Sequence, residues 1–158
     1  IKQSDLNIKG HALELRVYAE DPLNNFLPSV GKLETYKVPT GKNIRVDNGF
    51  EEGMDIPIYY DPMLSKLITY GDTREEAISL MIKAIENYEV EGVETTLSFG
   101  KFVCQHETFR SGSFDTHFVK KYYSPEAIKD EMEQEANIAA IMAVKKYLED
   151  QQILKLPN

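Results

Sequence analysis

The chain has 158 residues, a mass of 18.1 kDa and a hydrophobic content of 42%, enough to build the core of one soluble domain. Its longest uninterrupted apolar run, Ile138 to Val144, is far shorter than the ~20 residues that cross a bilayer, so an integral membrane protein is excluded. Eighteen Lys and Arg against 26 Asp and Glu give a formal charge of −8. Because no segment carries the basic stripe that dominates nucleic-acid affinity, neither nucleic acid nor a membrane is an expected partner.

Cysteine usage and the first residues bear on compartment and completeness. Cys104 is the only cysteine, which excludes an internal disulfide and favours a cytoplasmic location. The chain opens with Ile1 rather than Met, in a polar stretch that lacks the basic and apolar pattern of a signal peptide. We therefore expect it to be a fragment of a longer protein.

A half-buried strand with one charged face is predicted over residues 10–20. The sequence GHALELRVYAE alternates with period two, so His11, Leu13, Leu15, Val17 and Ala19 share one face. The opposite face carries Glu14, Arg16, Tyr18 and Glu20. Three further strands are predicted at 32–38, 43–46 and 63–70, with a turn signal at 47–49, which together indicate an antiparallel β unit.

Helices are predicted in the second half, where the apolar period changes from 2 to 3.6 at Asp72. Thr73 and Glu76 form a capping-box pattern, and Gly92 is a plausible stop for this helix. A second helix is predicted from Leu97 after two threonines, and a short third one after Asp115. Ser124 and Pro125 then begin a helix to Gln152 that either packs on the domain or connects it to another module.

Arg16 is the most suggestive residue for chemistry. A guanidinium in the middle of a strand, between Glu14 and Tyr18, has the fixed fork that suits a planar oxyanion. The alternative is a solvated sheet face with ordinary cross-strand pairs, and spacing alone favours that alternative.

Other motifs carry less chemistry. Among the soft-ligand candidates only Cys104 and His106 are close in sequence, so no metal site is predicted. The stretch PTGKN at 39–43 is not a phosphate-binding loop, since Tyr36 stands where that loop needs its first glycine.

Four sequence segments, in the same order along the chain, resemble a known family. They are GHALELRVYAEDP at 10–22, NFLPSVGKL at 25–33, YYDPMLSKLITYG at 59–71 and the Gly-Val pair at 92–93. Over about residues 10–123 they resemble the carboxyl-terminal domain of biotin carboxylase, a subunit of acetyl-CoA and propionyl-CoA carboxylases. The resemblance implies an enzyme that uses ATP, Mg²⁺ and bicarbonate to carboxylate biotin on a carrier protein. It also implies an upstream ATP-grasp domain that this chain does not contain, so the fragment alone is expected to be inactive and to bind no cofactor.

The resemblance also implies roles for particular residues. Arg16, in the motif H-A-x-E-x-R, is expected to stabilise the enolate-like oxygen of biotin and the nearby anion, with Glu14 orienting it. Thr116 and His117 correspond to residues near the adenine edge of ATP. Arg45 matches an arginine of the homodimer contact, although Lys42 stands where some relatives have an aromatic residue.

The sequence thus predicts an α+β fold with an antiparallel, barrel-like sheet flanked by helices, plus a long C-terminal helix. Residues 1–123 form the expected biotin carboxylase C-terminal domain, and residues 124–158 a helical extension. Expected partners are a biotin carboxyl carrier protein or domain, a carboxyltransferase subunit and a second copy of the complete subunit. The alternative is a non-catalytic dimerisation or assembly module that uses the surface around Arg45 and the tail helix. Asp61 and Lys66 are expected to support the fold.

Overall fold

The structure is a computed structural model that describes residues 1–57, 59 and 61–153. Strands dominate the first half and helices the second. In chain order the elements are β1 (His11–Tyr18), β2 (Glu20–Asp21), β3 (Leu27–Pro28), β4 (Gly31–Lys32), β5 (Thr35–Lys37), β6 (Ile44–Asn48), β7 (Asp55–Ile56), β8 (Met63–Gly71), α1 (Arg74–Glu86), β9 (Glu89–Glu91), α2 (Leu97–Gln105), α3 (Glu107–Arg110), α4 (Phe118–Tyr122) and α5 (Pro125–Ile153).

The central sheet has the order β1-β8-β6, with both neighbouring pairs antiparallel. The period-two pattern of β1 is confirmed, since Val17 is fully buried while Glu14 and Arg16 are exposed. Leu15 lies opposite Leu67 and faces the core with it. One face of this sheet therefore packs on the helices, and the other is charged.

The register of β1 on β8 shifts once, between Val17 and Tyr18. Val17 lies opposite Ser65, whereas Tyr18 lies opposite Met63, so Leu64 is the extra residue of a β-bulge. Because the shift comes directly after Arg16, the backbone that follows this residue leaves the regular ladder.

The remaining strands form separate two-stranded ribbons, β2-β3, β4-β7 and β5-β9, so the described strands make open sheets and not the barrel-like sheet that the sequence suggested. The predicted strand at 32–38 is divided, because Leu33 turns into the core with no exposed surface. Its two ends then pair with different partners: Lys32 with Asp55, and Tyr36 with Val90.

Helix α1 covers the buried face of the sheet, packing on β8 and β1 and against α2. Its start is confirmed, since Thr73 accepts a hydrogen bond from the Glu76 N–H, while the Glu76 carboxylate accepts from Asp72 N–H at 2.9 Å. Gly92 as the stop is wrong, because the helix ends at Glu86 and β9 follows. Pairing of β9 with β5 competes with helix continuation at this point.

The second helical layer is held by aromatic contacts. Phe99 of α2 packs edge-on against Phe26 and Tyr123, at centroid distances of 5.0 and 5.1 Å. Helix α3, which was not predicted, begins after His106, whose side chain accepts from Thr108 N–H at 3.2 Å. Arg74 of α1 donates to the Phe109 carbonyl at 2.6 Å, which ties α1 to α3.

Helix α5 begins as predicted, with the Ser124 hydroxyl accepting from Ala127 N–H at 3.4 Å. Its first turns contact the domain, since Ile128 is buried. Farther along the helix, Ile138, Ile141 and Leu148 are more than half exposed. Two parts of the sequence predictions lie outside the described residues: residues 154–158 of the predicted extension, and Tyr60 of the YYDP segment. None of the described helices is long and apolar enough to span a membrane.

Candidate functional site

Arg16 stands on the charged face of β1, with the aliphatic core directly beneath its strand. Its side chain is 60% exposed, and its Nε lies 3.4 Å from Glu14 Oε1, two residues earlier on the same face. The Tyr18 side chain, through a hydrogen bond, and then Glu14 raise the pKa of Arg16 above its ordinary value. The guanidinium is therefore a permanent cation, flanked along the strand and open to solvent.

Two further strands extend this charged face. Arg16 lies opposite Lys66 of β8, and Lys66 lies opposite Asp47 of β6. Asp47 is bound bidentately by Arg45, with two N–O distances of 2.8 Å, and the Arg45 hydrogen bond lowers the pKa of this carboxyl. Arg16 and Lys66 are thus two cations at opposite positions of β1 and β8. Such like charges repel each other unless an anion lies near them.

An open concavity of about 430 Å³ borders Arg16. It is mostly apolar with a polar rim, and its described lining comprises Leu15, Arg16, Tyr18, Glu20, Phe26, Thr96, Phe99 and Val119. Burial, followed by the nearby charge of Asp61, raises the pKa of the Glu20 carboxyl. The concavity therefore sets a fixed cation and a partly desolvated carboxyl around one apolar floor.

Thr116 and His117 lie at the start of α4, and both are exposed. The Asp115 carboxylate accepts from His117 N–H at 2.8 Å and binds Lys121 Nζ at 2.8 Å, so Asp115 organises the turn. Among the described lining residues α4 contributes Val119, and neither Thr116 nor His117. The structure therefore brings Arg16 and Glu14 together directly, and α4 borders the same concavity through Val119.

The contacts of Asp61 and Lys66 are of the kind that support the fold. The Asp61 carboxylate accepts from Met63 N–H at 3.1 Å and closes the turn into β8. Lys66 stands between two strands that carry Arg16 and Asp47, and its charge contributes to lowering the pKa of Asp47.

Thiol and metal chemistry find little support among the described residues. Cys104 of α2 is buried, and burial raises the pKa of its thiol to about 11. Among all the residues that the structure describes, no group of three or more His, Cys, Asp or Glu side chains could hold a metal ion.

Thr96 is a site residue that sequence reasoning missed. Its hydroxyl donates to the Arg16 carbonyl at 3.3 Å and accepts from Tyr18 N–H at 3.0 Å. The pair Thr95-Thr96 predicted only a helix start, and nothing local to it points at a strand 80 residues earlier.

Comparison with known proteins gives a consistent result. The family described as the biotin carboxylase C-terminal domain matches residues 14–121. Biotin carboxylase 1 of Bacillus subtilis is 46% identical over 122 residues, which cover 77% of this chain and 27% of that protein. The mitochondrial propionyl-CoA carboxylase alpha chain of Homo sapiens is 42% identical over 145 residues, covering 90% of this chain and 20% of that one.

Solved structures agree in fold. The crystal structure of the biotin carboxylase subunit of a pyruvate carboxylase superposes with a TM-score of 0.76 at 40% identity, over 81% of this chain and 28% of that one. The biotin carboxylase domain dimer of Hydrogenobacter thermophilus 2-oxoglutarate carboxylase was solved with MgADP and bicarbonate. It superposes with a TM-score of 0.75 at 37% identity, over 77% of this chain and 27% of that one. The chain therefore spans between 20% and 28% of the length of these relatives.

Proposed function

The chain belongs to the biotin carboxylase C-terminal domain family, and we propose on this premise that it forms one wall of the site where biotin is carboxylated. In the proposed reaction, ATP and bicarbonate give carboxyphosphate and ADP. Carboxyphosphate then releases inorganic phosphate, which takes up the N1 proton of biotin on a carrier protein, and the carboxyl group bonds to N1. The N1 proton must leave before the new C–N bond forms, which places negative charge on the ureido oxygen. A fixed cation at that oxygen lowers the barrier.

Arg16 is the residue to which we assign that cation. The single observation that carries the assignment is its exposed guanidinium at the rim of the concavity, with Glu14 Oε1 3.4 Å from its Nε on the same strand. Because the strand fixes its direction before substrate arrives, little reorganisation is needed as charge develops. Glu14 acts on the substrate only through Arg16, as an orienting partner.

The nucleotide and its metal belong, in this proposal, to an ATP-grasp domain preceding the present chain. The described residues supply no cluster of metal ligands, so we assign no magnesium ligand here and route no step through the ion. Thr116 and His117, at the exposed start of α4, are assigned to the adenine edge of ATP. The isolated chain is accordingly expected to be inactive.

Partners and boundaries follow from the same premise. We propose that residues 1–123 form the domain and residues 124–158 an extension. The proposed partner is a carboxyltransferase, which passes the carboxyl group from biotin to an acyl-CoA, either acetyl-CoA or propionyl-CoA. A cytoplasmic location is proposed, consistent with the lone unpaired Cys104. A homodimer of the complete subunit is proposed through the exposed face of β6, where Arg45 and Asp47 pair.

The test is bicarbonate-dependent ATP hydrolysis, with and without free biotin. It compares this chain with the complete subunit that includes the ATP-grasp domain. We expect activity only in the complete subunit, stimulated by biotin. Arg16→Ala should abolish the biotin stimulation and keep ATP binding nearly intact.

A non-catalytic assembly module is the competing function, favoured by the exposed charged face around Arg45. Unchanged turnover in Arg16→Ala, with loss of the dimer in Arg45→Ala, would support it against our proposal. Sedimentation of the complete subunit reads the second effect directly.

A further inference from the structure

The Thr96 side chain is bonded to the β1 backbone on both sides of Val17. Its hydroxyl accepts from Tyr18 N–H at 3.0 Å and donates to the Arg16 carbonyl at 3.3 Å. The Thr96 N–H also donates to the Tyr18 carbonyl at 3.1 Å. Since Thr96 is only 5% exposed, water does not compete freely for these three bonds.

The same hydroxyl does not serve the helix that it precedes. Thr96 occupies the N-cap position of α2, where a threonine oxygen usually accepts from the first turn. In the described structure it makes no such cap bond, and Thr95 Oγ1 accepts only a long bond, 3.5 Å, from Leu97 N–H. The orientation of the hydroxyl is therefore explained by β1 and not by α2.

The bonds fall where β1 is least supported by its sheet. β1 is an edge strand, and its register on β8 shifts between Val17 and Tyr18. After Arg16 the backbone of β1 therefore departs from regular pairing with β8. Thr96 binds the same stretch of backbone on the edge of β1 that has no partner strand in this sheet. Thr96 supplies the fixed point that a neighbouring strand would otherwise give.

We propose that Thr96 is a positioning residue for Arg16, fixing the direction of the guanidinium by holding the backbone of β1. The inference rests on the proposed function of Arg16 and adds the device that orients it. The other partners of Arg16, Glu14 and Tyr18, stand on the same strand and move with it. A displacement of about 1 Å in a reacting geometry can lower a rate about 100-fold, so a small backbone shift is enough to matter.

Thr96→Val removes the hydroxyl at nearly constant shape, and Thr96→Ser keeps it. Thr95→Val is the matched control, because Thr95 makes no bond to β1 among the described residues. In the complete subunit, Thr96→Val should lower the biotin-dependent kcat about tenfold. The KM for biotin and the biotin-independent hydrolysis of ATP should stay within about twofold. Thr96→Ser and Thr95→Val should behave as the parent enzyme does.

Amide hydrogen exchange reads the bond itself without catalysis. The Tyr18 N–H should exchange faster in Thr96→Val than in Thr95→Val, because its acceptor is gone. The inference is overturned if Thr96→Val keeps its biotin-dependent kcat while Arg16→Ala loses it, or if both hydrolysis rates fall together in Thr96→Val. Unchanged turnover in Arg16→Ala would instead remove the proposed function, and the inference with it.

Discussion

Glu14 Oε1 lies 3.4 Å from Arg16 Nε, and both side chains are substantially exposed, at 44% and 60%. Such a pair orients a cation more than it stabilises a fold, because solvent screens it. Glu14→Gln in the complete subunit should therefore lower biotin-dependent turnover by less than about fivefold. The unfolding temperature should move by less than about 2 °C. A large loss of thermal stability with normal turnover would contradict the orienting role.

The buried hydroxyls of Ser65 and Tyr88 should couple measurably. Their oxygens are 2.8 Å apart, and Tyr88 donates onward to the Tyr36 hydroxyl at 2.8 Å. Tyr88→Phe should lower the free energy of unfolding by about 1–2 kcal/mol, because it leaves polar groups without partners. In a double-mutant cycle with Ser65→Ala, urea unfolding should give about 1 kcal/mol of coupling. Tyr70→Phe, at an exposed site, should change stability by less than about 0.5 kcal/mol; equal losses in the two phenylalanine variants would contradict the prediction.

Gly92 and Gly53 offer a matched pair of positive-φ glycines, with φ of 97° and 88°. A Cβ at Gly92 would overlap the Lys32 carbonyl oxygen, whereas a Cβ at Gly53 meets no heavy atom within 4 Å. Both alanine variants share the left-handed strain of about 1–2 kcal/mol. Gly92→Ala should lose at least about 1 kcal/mol more, measured by chemical unfolding. Equal losses would mean that Lys32 gives way freely.

Cys104 should be inert to thiol reagents in the folded protein. Burial raises the pKa of its thiol to about 11, so at pH 8 little thiolate exists and access is blocked. Labelling by a disulfide reagent at pH 8 should follow global unfolding in a urea series. A Cys104→Ser/Ser111→Cys variant, which puts the thiol at an exposed position, should label at once. Rapid labelling of the parent protein without urea would exclude a closed core around Cys104.

Glu20 should make stability depend on pH in a defined direction. Burial and then Asp61 raise the pKa of this carboxyl, so the folded state favours the neutral form. Its contribution to stability is therefore present below the unfolded pKa and lost as pH rises through the folded pKa. Glu20→Gln should raise the unfolding temperature at pH 7 by about 1–3 °C, with the difference vanishing near pH 4. Glu51→Gln, at an exposed loop position, is the matched control variant. A gain for Glu20→Gln that is equal at both pH values would contradict the assignment.

Local patterns predicted the elements whose partners are adjacent or whose period is strong. The alternation of β1 predicted that Glu14 and Arg16 share an exposed face, and Thr73 predicted the start of α1. The division of the strand at 32–38 could not be predicted, because Lys32 and Tyr36 take their neighbours from β7 and β9, about 20 and 55 residues away.

The candidate site was predictable to the same extent. Arg16 and Glu14 are neighbours on one strand, so a period of two is enough to find them. The hydroxyl of Thr96 reaches Arg16 across 80 residues of sequence, and its local context predicts only a helix cap. Arg45 lies in a strand that the sequence predicted at 43–46, but its bidentate bond to Asp47 depends on the rotamers of two side chains on β6.

The bulge at Leu64 divides β8 into two parts with independent registers. From Ser65 onward each residue is paired with β1 up to Val17, whereas Met63 pairs with Tyr18 on the other side of the irregularity. A one-residue insertion or deletion before Leu64 can thus be absorbed in the bulge, leaving Lys66 opposite Arg16. The same change inside Ser65–Gly71 would turn buried Leu67 outward and a charge into the core. Insertions and deletions among relatives of this chain should accordingly accumulate before Leu64 and be absent from residues 65–71.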